Sequence, residues 1–409
     1  VITFVMIIFV SVVIFLIVIK WALNRNKKPT KSIYAYTLLI GLVSPAIQFF
    51  ETETYGATVD GPESSYKLNS KPNIYLLSYD SMVPPDTMRE LLILEEIPHE
   101  KVLMEHFHVM ENSISFHVPS KPSINNLMRI GQSSEQLNYG AFSGNANSLL
   151  SKMLKKNGYK LITGFDGLYF GNAGPHIDKG LFPPKVDIQT SVLCISQRRF
   201  QKVQAGMICE VAFRLYRIKK LSKLYKILFG NNYSQKVKDW HTKLVSEMSN
   251  TPLSGAPTFL YAYTYKGIGH TSSSYNHSDL SARQSYKNEV IKNSKELSEQ
   301  LRTVSNAIRT NDPNSILVIF GDHGMYLSRA IDFDEDPEFF VKDRHLVTLA
   351  IRKTGHACSE PQNLDLITEY VTPSRLLYAI FECLGNGVIV PNAHFDEDEV
   401  LIPYAFPNN

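Results

Sequence analysis

The chain has 409 residues, 44% of them hydrophobic and 20% charged, with a formal net charge of +3. That length allows one large domain or two to three ordinary ones, and that composition excludes an intrinsically disordered chain. A charge balance this close to neutral leaves no electrostatic footprint for nucleic acid, so none is expected as a partner.

Residues 1–19 carry no charged side chain and are rich in Val, Ile and Phe. At about 20 residues per crossing they are long enough to span a hydrocarbon core. A signal peptide would have a shorter apolar core followed by small residues; here Lys20 and the run Arg25-Asn26-Lys27-Lys28-Pro29-Thr30-Lys31 follow. We assign residues 1–23 to a transmembrane helix and residues 24–31 to a cytoplasmic loop, by the positive-inside rule. Residues 32–50 read as a second transmembrane helix that contains Pro45 and Gln48. Residues 51–71 form an extracytoplasmic linker opening with Glu51-Thr52-Glu53, and residues 72–409 a domain outside the membrane. Because the chain starts at Val1 rather than Met, more sequence is expected upstream.

The outer domain opens with Ile74-Tyr75-Leu76-Leu77-Ser78-Tyr79-Asp80, an apolar strand ending in an acid. A carboxylate at the end of a buried strand is costly unless paired or bound to a metal; the other reading of Asp80 is an N-cap for the next helix. Next, Pro119-Ser120-Lys121-Pro122-Ser123 precedes a helical segment. A hydroxyl there sits at the positive end of the helix dipole, which favours a bound oxyanion, although a serine N-cap has the same pattern. Around residues 149–166 an amphipathic helix stops at Asn157-Gly158 and a strand over 159–163 follows, an α-to-β connection. Between residues 198 and 226, nine Arg and Lys side chains interleave with Leu, Tyr and Phe; they read either as a solvated helical face or as a contact for anionic lipid.

Residues 258–265 form an aromatic strand leading into Lys266-Gly267-Ile268-Gly269-His270, where the histidine either serves an anionic substrate or is a turn residue. A polar helix over about 281–309 returns the chain to residues 315–327, SILVIFGDHGMYL. The apolar run stopped by Gly321-Asp322-His323-Gly324 is the pattern of a buried parallel strand ending in a tight turn. In open α/β sheets chemistry collects beyond the carboxyl ends of the strands, and an adjacent Asp and His there can share one metal. An acidic loop is expected over 332–338, a strand over 346–351 after Arg344-His345, and a C-terminal helix over 373–384. Cys194 with Cys209 and Cys358 with Cys383 make two local pairs, open to disulfide bonding or to four buried thiols.

The order Asp80, Ser120-Lys121-Pro122-Ser123, Gly158-Tyr159, Gly267-Ile268-Gly269-His270, Gly321-Asp322-His323-Gly324 and His345 resembles the alkaline phosphatase/sulfatase superfamily. The match spans about residues 72–385. The resemblance implies an α/β fold with a mixed sheet flanked by helices, here preceded by transmembrane helices. The branch follows from the departures. Ser120 stands where sulfatases carry a modified cysteine and Ile124 where they carry arginine. Asp80-Ser81 replaces their paired acids, and Phe165-Asp166 replaces a Gly-Lys. Lys266 occupies the place of the second-metal aspartate of two-zinc phosphatases. What remains is similar to the single-metal, membrane-anchored phosphoethanolamine and glycerol-phosphate transferases related to lipoteichoic acid synthase, whose nucleophile is usually threonine.

That resemblance implies one divalent metal on Asp80, Ser120, Asp322 and His323, zinc or manganese first, with calcium or magnesium as further options. It implies Ser120 as nucleophile, His270 and His345 as phosphoryl or leaving-group contacts, and Lys121 and Lys266 as weaker phosphate contacts. The donor would be a phospholipid, the acceptor a surface glycan or lipid, and the setting a multi-pass bacterial membrane with the catalytic domain outside. Two alternatives stay open: a sulfatase-like hydrolase (phosphodiesterase, phosphatase or atypical sulfatase) and a non-catalytic glycan-binding or assembly protein of the envelope.

Overall fold

The structure is a computed structural model. It describes residues 66–115, 120–128, 130, 148–165, 176–181, 233–264, 268, 279–327, 336–353, 355–364 and 370–385. By internal contacts the chain divides into a unit of Val1–Asp60 with Lys185–Asn232 and a unit of Gly61–Pro184 with Tyr233–Asn409. Every described residue belongs to the second unit. The two expected transmembrane helices and the basic belt from Arg198 to Lys226 lie outside the described residues. Among the described residues, no helix is long and apolar enough to cross a membrane.

The second unit is an α/β fold around a mixed seven-stranded sheet. In chain order its strands are β1 (Ile74–Tyr79), β2 (Phe107–Val109), β3 (Lys160–Gly164), β4 (Lys179–Gly180), β5 (Thr258–Thr264), β6 (Ile316–Gly321) and β7 (Leu349–Arg352). Their order across the sheet is β2-β7-β6-β1-β5-β3-β4. β1 lies at the centre, parallel to β5 on one side and to β6 on the other. β3 and β4 continue the parallel arrangement beyond β5. β7 runs antiparallel to β6, and β2 antiparallel to β7.

β1, β5 and β6 are buried along their whole length, as parallel strands covered on both faces must be. The strand period of two assigns their side chains to two cores. Ile74, Leu76, Tyr261, Tyr263 and Phe320 face one core, with Ile124 and Leu127 of helix α3 (Ser120–Leu127), helix α4 (Leu149–Lys156) and helix α8 (Pro373–Leu384). Tyr75, Leu77, Tyr79, Leu317 and Ile319 face the other, against helices α1 (Pro85–Leu92), α2 (Glu100–His106), α5 (Tyr233–Asn250) and α6 (Leu280–Asn311). α6 buries Tyr286, Val290, Leu297, Leu301, Val304 and Ile308, the three-to-four spacing of one helical face.

Several local expectations shift. β3 begins at Lys160 rather than Tyr159, whose hydroxyl donates instead to the Pro72 carbonyl. The acidic stretch expected as a loop ends in a helix: Asp336 accepts from the Phe339 N–H and starts α7 (Pro337–Arg344), an acid-Pro start typical of helices. The strand expected over 346–351 is shorter and later, because Leu346 makes only an isolated bridge with Ile114 and β7 starts at Leu349. Tyr66 and Leu68, assigned above to a linker, are buried in the core that holds α8. Cys358 and Cys383 form a disulfide that ties α8 to the segment after β7; Cys194 and Cys209 lie outside the described residues.

Candidate metal centre

Register places the first two acids side by side. Tyr79 of β1 pairs with Gly321 of β6, so Asp80 and Asp322, one residue beyond each, leave the same carboxyl edge of the sheet. Glycine at 321 is required by this approach. A Cβ there would lie 2.1 Å from the Met82 carbonyl oxygen, in the turn that carries Asp80. Glycine at 324 is required likewise, since a Cβ would meet the Asp343 carbonyl oxygen at 2.2 Å. Asp343 in turn accepts from the Leu327 N–H at 2.7 Å, which fixes the chain leaving the Asp322-His323 turn. Asp80 is not a helix cap. The next helix starts at Pro85, and its N-cap position is Pro84.

Asp80, Asp322 and His323 are buried and bring one ligand atom each to within 4.8 Å of one another. The His323 Nδ1–H donates to the Gly324 carbonyl at 2.8 Å. That bond sets the tautomer and leaves the Nε2 lone pair pointing inward. Nε2 lies 3.6 Å from Asp80 Oδ1, 3.6 Å from Asp322 Oδ2 and 3.1 Å from Ser120 Oγ. Ser120 is the first residue of α3, so its hydroxyl comes to the cluster with the helix N-terminus behind it.

Two carboxylates and an imidazole lone pair converging out of water is an unfavourable arrangement without a cation. Burial accordingly pushes the Asp322 carboxyl above its ordinary pKa, with the Asp80 charge adding to the effect and His323 opposing it. The donor set fits a divalent metal. Ligand bonds of about 2.0–2.2 Å leave neighbouring donors about 3–4.4 Å apart, and two carboxylates with one imidazole are ordinary ligands of such an ion.

Residues the sequence reading gave no role complete the site. Ser81 has φ +52°, a left-handed conformation rare for serine and one that stores strain. This turns its N–H onto Asp322 Oδ1 at 2.9 Å and its hydroxyl towards Asp80 and His323 at 3.4 and 3.3 Å. Tyr263, on β5, donates its hydroxyl to Asp322 Oδ2 at 3.3 Å and lies 3.5 Å from Ser120 Oγ. Ser115 donates to the Asp322 carbonyl at 2.7 Å and its hydroxyl lies 3.0 Å from that of Ser123 in α3.

His345 joins the cluster through Ser115. Its Nδ1–H donates to the Ser115 carbonyl at 2.8 Å, and its own carbonyl accepts from the Ser115 N–H at 2.7 Å. Beside it the Arg344 guanidinium lies over the rings of Tyr326 and Phe340, at 4.1 and 5.3 Å from their centres. The Tyr326 ring meets His323 edge-on at 4.9 Å. The structure therefore brings together Asp80, Ser120, Asp322 and His323, with His345 linked to them. Lys266 and His270 lie outside the described residues, and of Lys121 only the helical backbone is described.

No protein-family profile matches this sequence, and no curated protein sequence matches it. Solved structures do resemble it. One is the C-terminal periplasmic domain of EcEptC from Escherichia coli, 14% identical, covering 78% of this chain and 85% of that one, with TM-score 0.44. Another is an alkaline phosphatase superfamily protein from Vibrio parahaemolyticus, 13% identical, covering 80% and 70%, with TM-score 0.47. A third is BT1596, a 2-O GAG sulfatase, 15% identical, covering 81% and 74%, with TM-score 0.45. The EcEptC domain has also been solved in complex with zinc.

Proposed function

We propose that this chain is a metal-dependent phosphotransferase acting outside a membrane, with Ser120 as its nucleophile. The observation that carries the reading is the buried convergence of Asp80, Asp322 and His323 Nε2 on the Ser120 hydroxyl at the first turn of a helix. A divalent cation held by Asp80, Asp322, His323 and Ser120 would lower the serine pKa and polarise a phosphoryl oxygen. The α3 N-terminus favours the negative charge that develops beside it. Arg344, stacked on Tyr326 and Phe340 and paired with Asp343 at 3.3 Å, is a further candidate contact for an anionic donor.

The donor in this reading is a phospholipid carrying phosphoethanolamine or phosphoglycerol. Ser120 Oγ bonds to its phosphorus while the bond from phosphorus to the diglyceride oxygen breaks. The serine proton ends on the departing diglyceride oxygen, with His270 or His345 as carrier. A hydroxyl of a surface glycan or lipid then attacks the phosphoserine, the phosphorus–serine bond breaks, and the acceptor's proton returns to Ser120 by the same route. Splitting one displacement into two is the general gain of covalent catalysis. Lys121 and Lys266 are further phosphate contacts in this scheme.

The test is the intact mass of the 409-residue chain after incubation with zinc or manganese and vesicles containing phosphatidylethanolamine and phosphatidylglycerol, with Ser120→Ala beside it. An adduct that maps to Ser120, matches one headgroup and is absent from the variant is the expected result. Headgroup release without an adduct or acceptor would replace transfer by hydrolysis. Neither adduct nor bound metal would overturn the enzymatic reading.

A further inference from the structure

We infer that Tyr263 is a positioning residue for the metal centre, acting through Asp322; this rests on reading the cluster as a cation site. The two oxygens of Asp322 are held differently. Oδ1 accepts the N–H groups of Ser81 and His323 at 2.9 and 3.0 Å. Oδ2 is the oxygen that faces His323 Nε2, on the side of the converging donors, and Tyr263 donates to it, while the Ser120 hydroxyl also bonds this carboxylate. The phenol thus sets the direction of the ligand oxygen, while the main chain fixes the other end of the carboxylate.

The ring that carries this hydroxyl is itself held. Tyr263 sits one residue before the end of β5, in register with Ser78 of β1. It is buried, its ring stacks against Phe165 with centroids 6.4 Å apart and planes at 21°, and its carbonyl accepts from Trp240 Nε1 at 2.9 Å. A donor locked by packing and aimed at a ligand oxygen is how outer-shell groups orient a metal ligand, and losing one typically costs about 10–100-fold in metal affinity. The same hydroxyl lies 3.5 Å from Ser120 Oγ, so one side chain relates the nucleophile to the ligand it works beside.

The experiment is zinc affinity of the full chain by competition with a chromophoric chelator, for the native protein, Tyr263→Phe and Tyr263→4-aminophenylalanine, each also melted in excess chelator. The expected result is ~10–100-fold weaker zinc binding in the Phe variant, with melting in chelator unchanged. The para-amino variant, which returns a donor to the same place, recovers the affinity. Equal affinity in the native and Phe proteins would overturn the role of Tyr263 and leave the metal centre standing. Weakening in both variants would also overturn it, by assigning the loss to packing. Absence of zinc binding by the native protein would instead remove the metal centre itself. Should the Phe variant not fold, 4-fluorophenylalanine at 263, which fills the hydroxyl's space without a donor, takes its place with the same outcomes.

Discussion

Asp322→Asn separates two effects of the Asp322 carboxylate in the proposed centre, because they have opposite signs. The carboxyl is fully buried and its pKa is raised, first by burial and then by Asp80. With no cation present, its charge at pH 7 therefore opposes folding, by about 1.4 kcal/mol for each pH unit of the shift. Asparagine keeps the shape. Its Oδ1 still accepts from Ser81 and His323, and its amide can donate towards His323 Nε2. In excess chelator the variant should melt at or above the native temperature. With metal the order reverses. At a free concentration one hundred times Kd, binding stabilises the native protein by about 2.7 kcal/mol. For a domain this large that is a rise of about 5 °C, and the variant should gain little of it. Thermal melts of both proteins, with chelator and with zinc or manganese, read all four values. A variant that melts well below the native protein in chelator would refute the reasoning, because the buried charge would then be stabilising by itself. Equal gains on adding metal would refute the assignment of Asp322 as a ligand.

Gly321→Ala places a Cβ 2.1 Å from the Met82 carbonyl, between two backbones that cannot both yield. It should cost about 1–3 kcal/mol or more in stability and, by moving Asp80 away from Asp322, weaken metal binding in the same titration. A Gly321→Ala protein with native melting and native affinity would show that the two turns do not depend on this contact. His99 and His241 are buried, and burial lowers their pKa values to about 3 and about 4. The unfolded chain then binds more protons than the fold below pH 6.5, so stability is complete above that value and falls as pH drops towards 4. From pH 7 to pH 5 each histidine should remove about 2 kcal/mol. Urea melts of the native protein and of His99→Gln check this, because the variant should lose that much of the pH slope whatever its absolute stability.

The sequence alone determined the parts of this protein that repeat locally. The apolar runs of β1, β5 and β6, each stopping at Asp80, Thr264 or Gly321, are strong signals because a strand covered on both faces admits few polar residues. Asp322-His323 between two glycines was legible as a site for the same reason, and so was Ser120 at a helix start. α8 over Pro373–Leu384 emerged with the expected ends, since Thr372, Pro373 and Gly385 punctuate it.

Which of these residues meet is set by packing. That Asp80 meets Asp322 follows from pairing β1 with β6 across more than 230 residues of chain, a register that no local pattern encodes. Ser115 looked ordinary because its exchange of hydrogen bonds with His345 joins segments remote in sequence. Tyr263 read as one more aromatic in a strand of aromatics. Alternation shows which residues share its face but not that Asp322 waits across the gap. Short strands such as β2 and β7 were missed or misplaced because three or four residues carry too little periodicity to outweigh their neighbours. Composition and period set what each segment can be. The chemistry of the centre depends on ångström-scale approach between segments, and that is a property of packing.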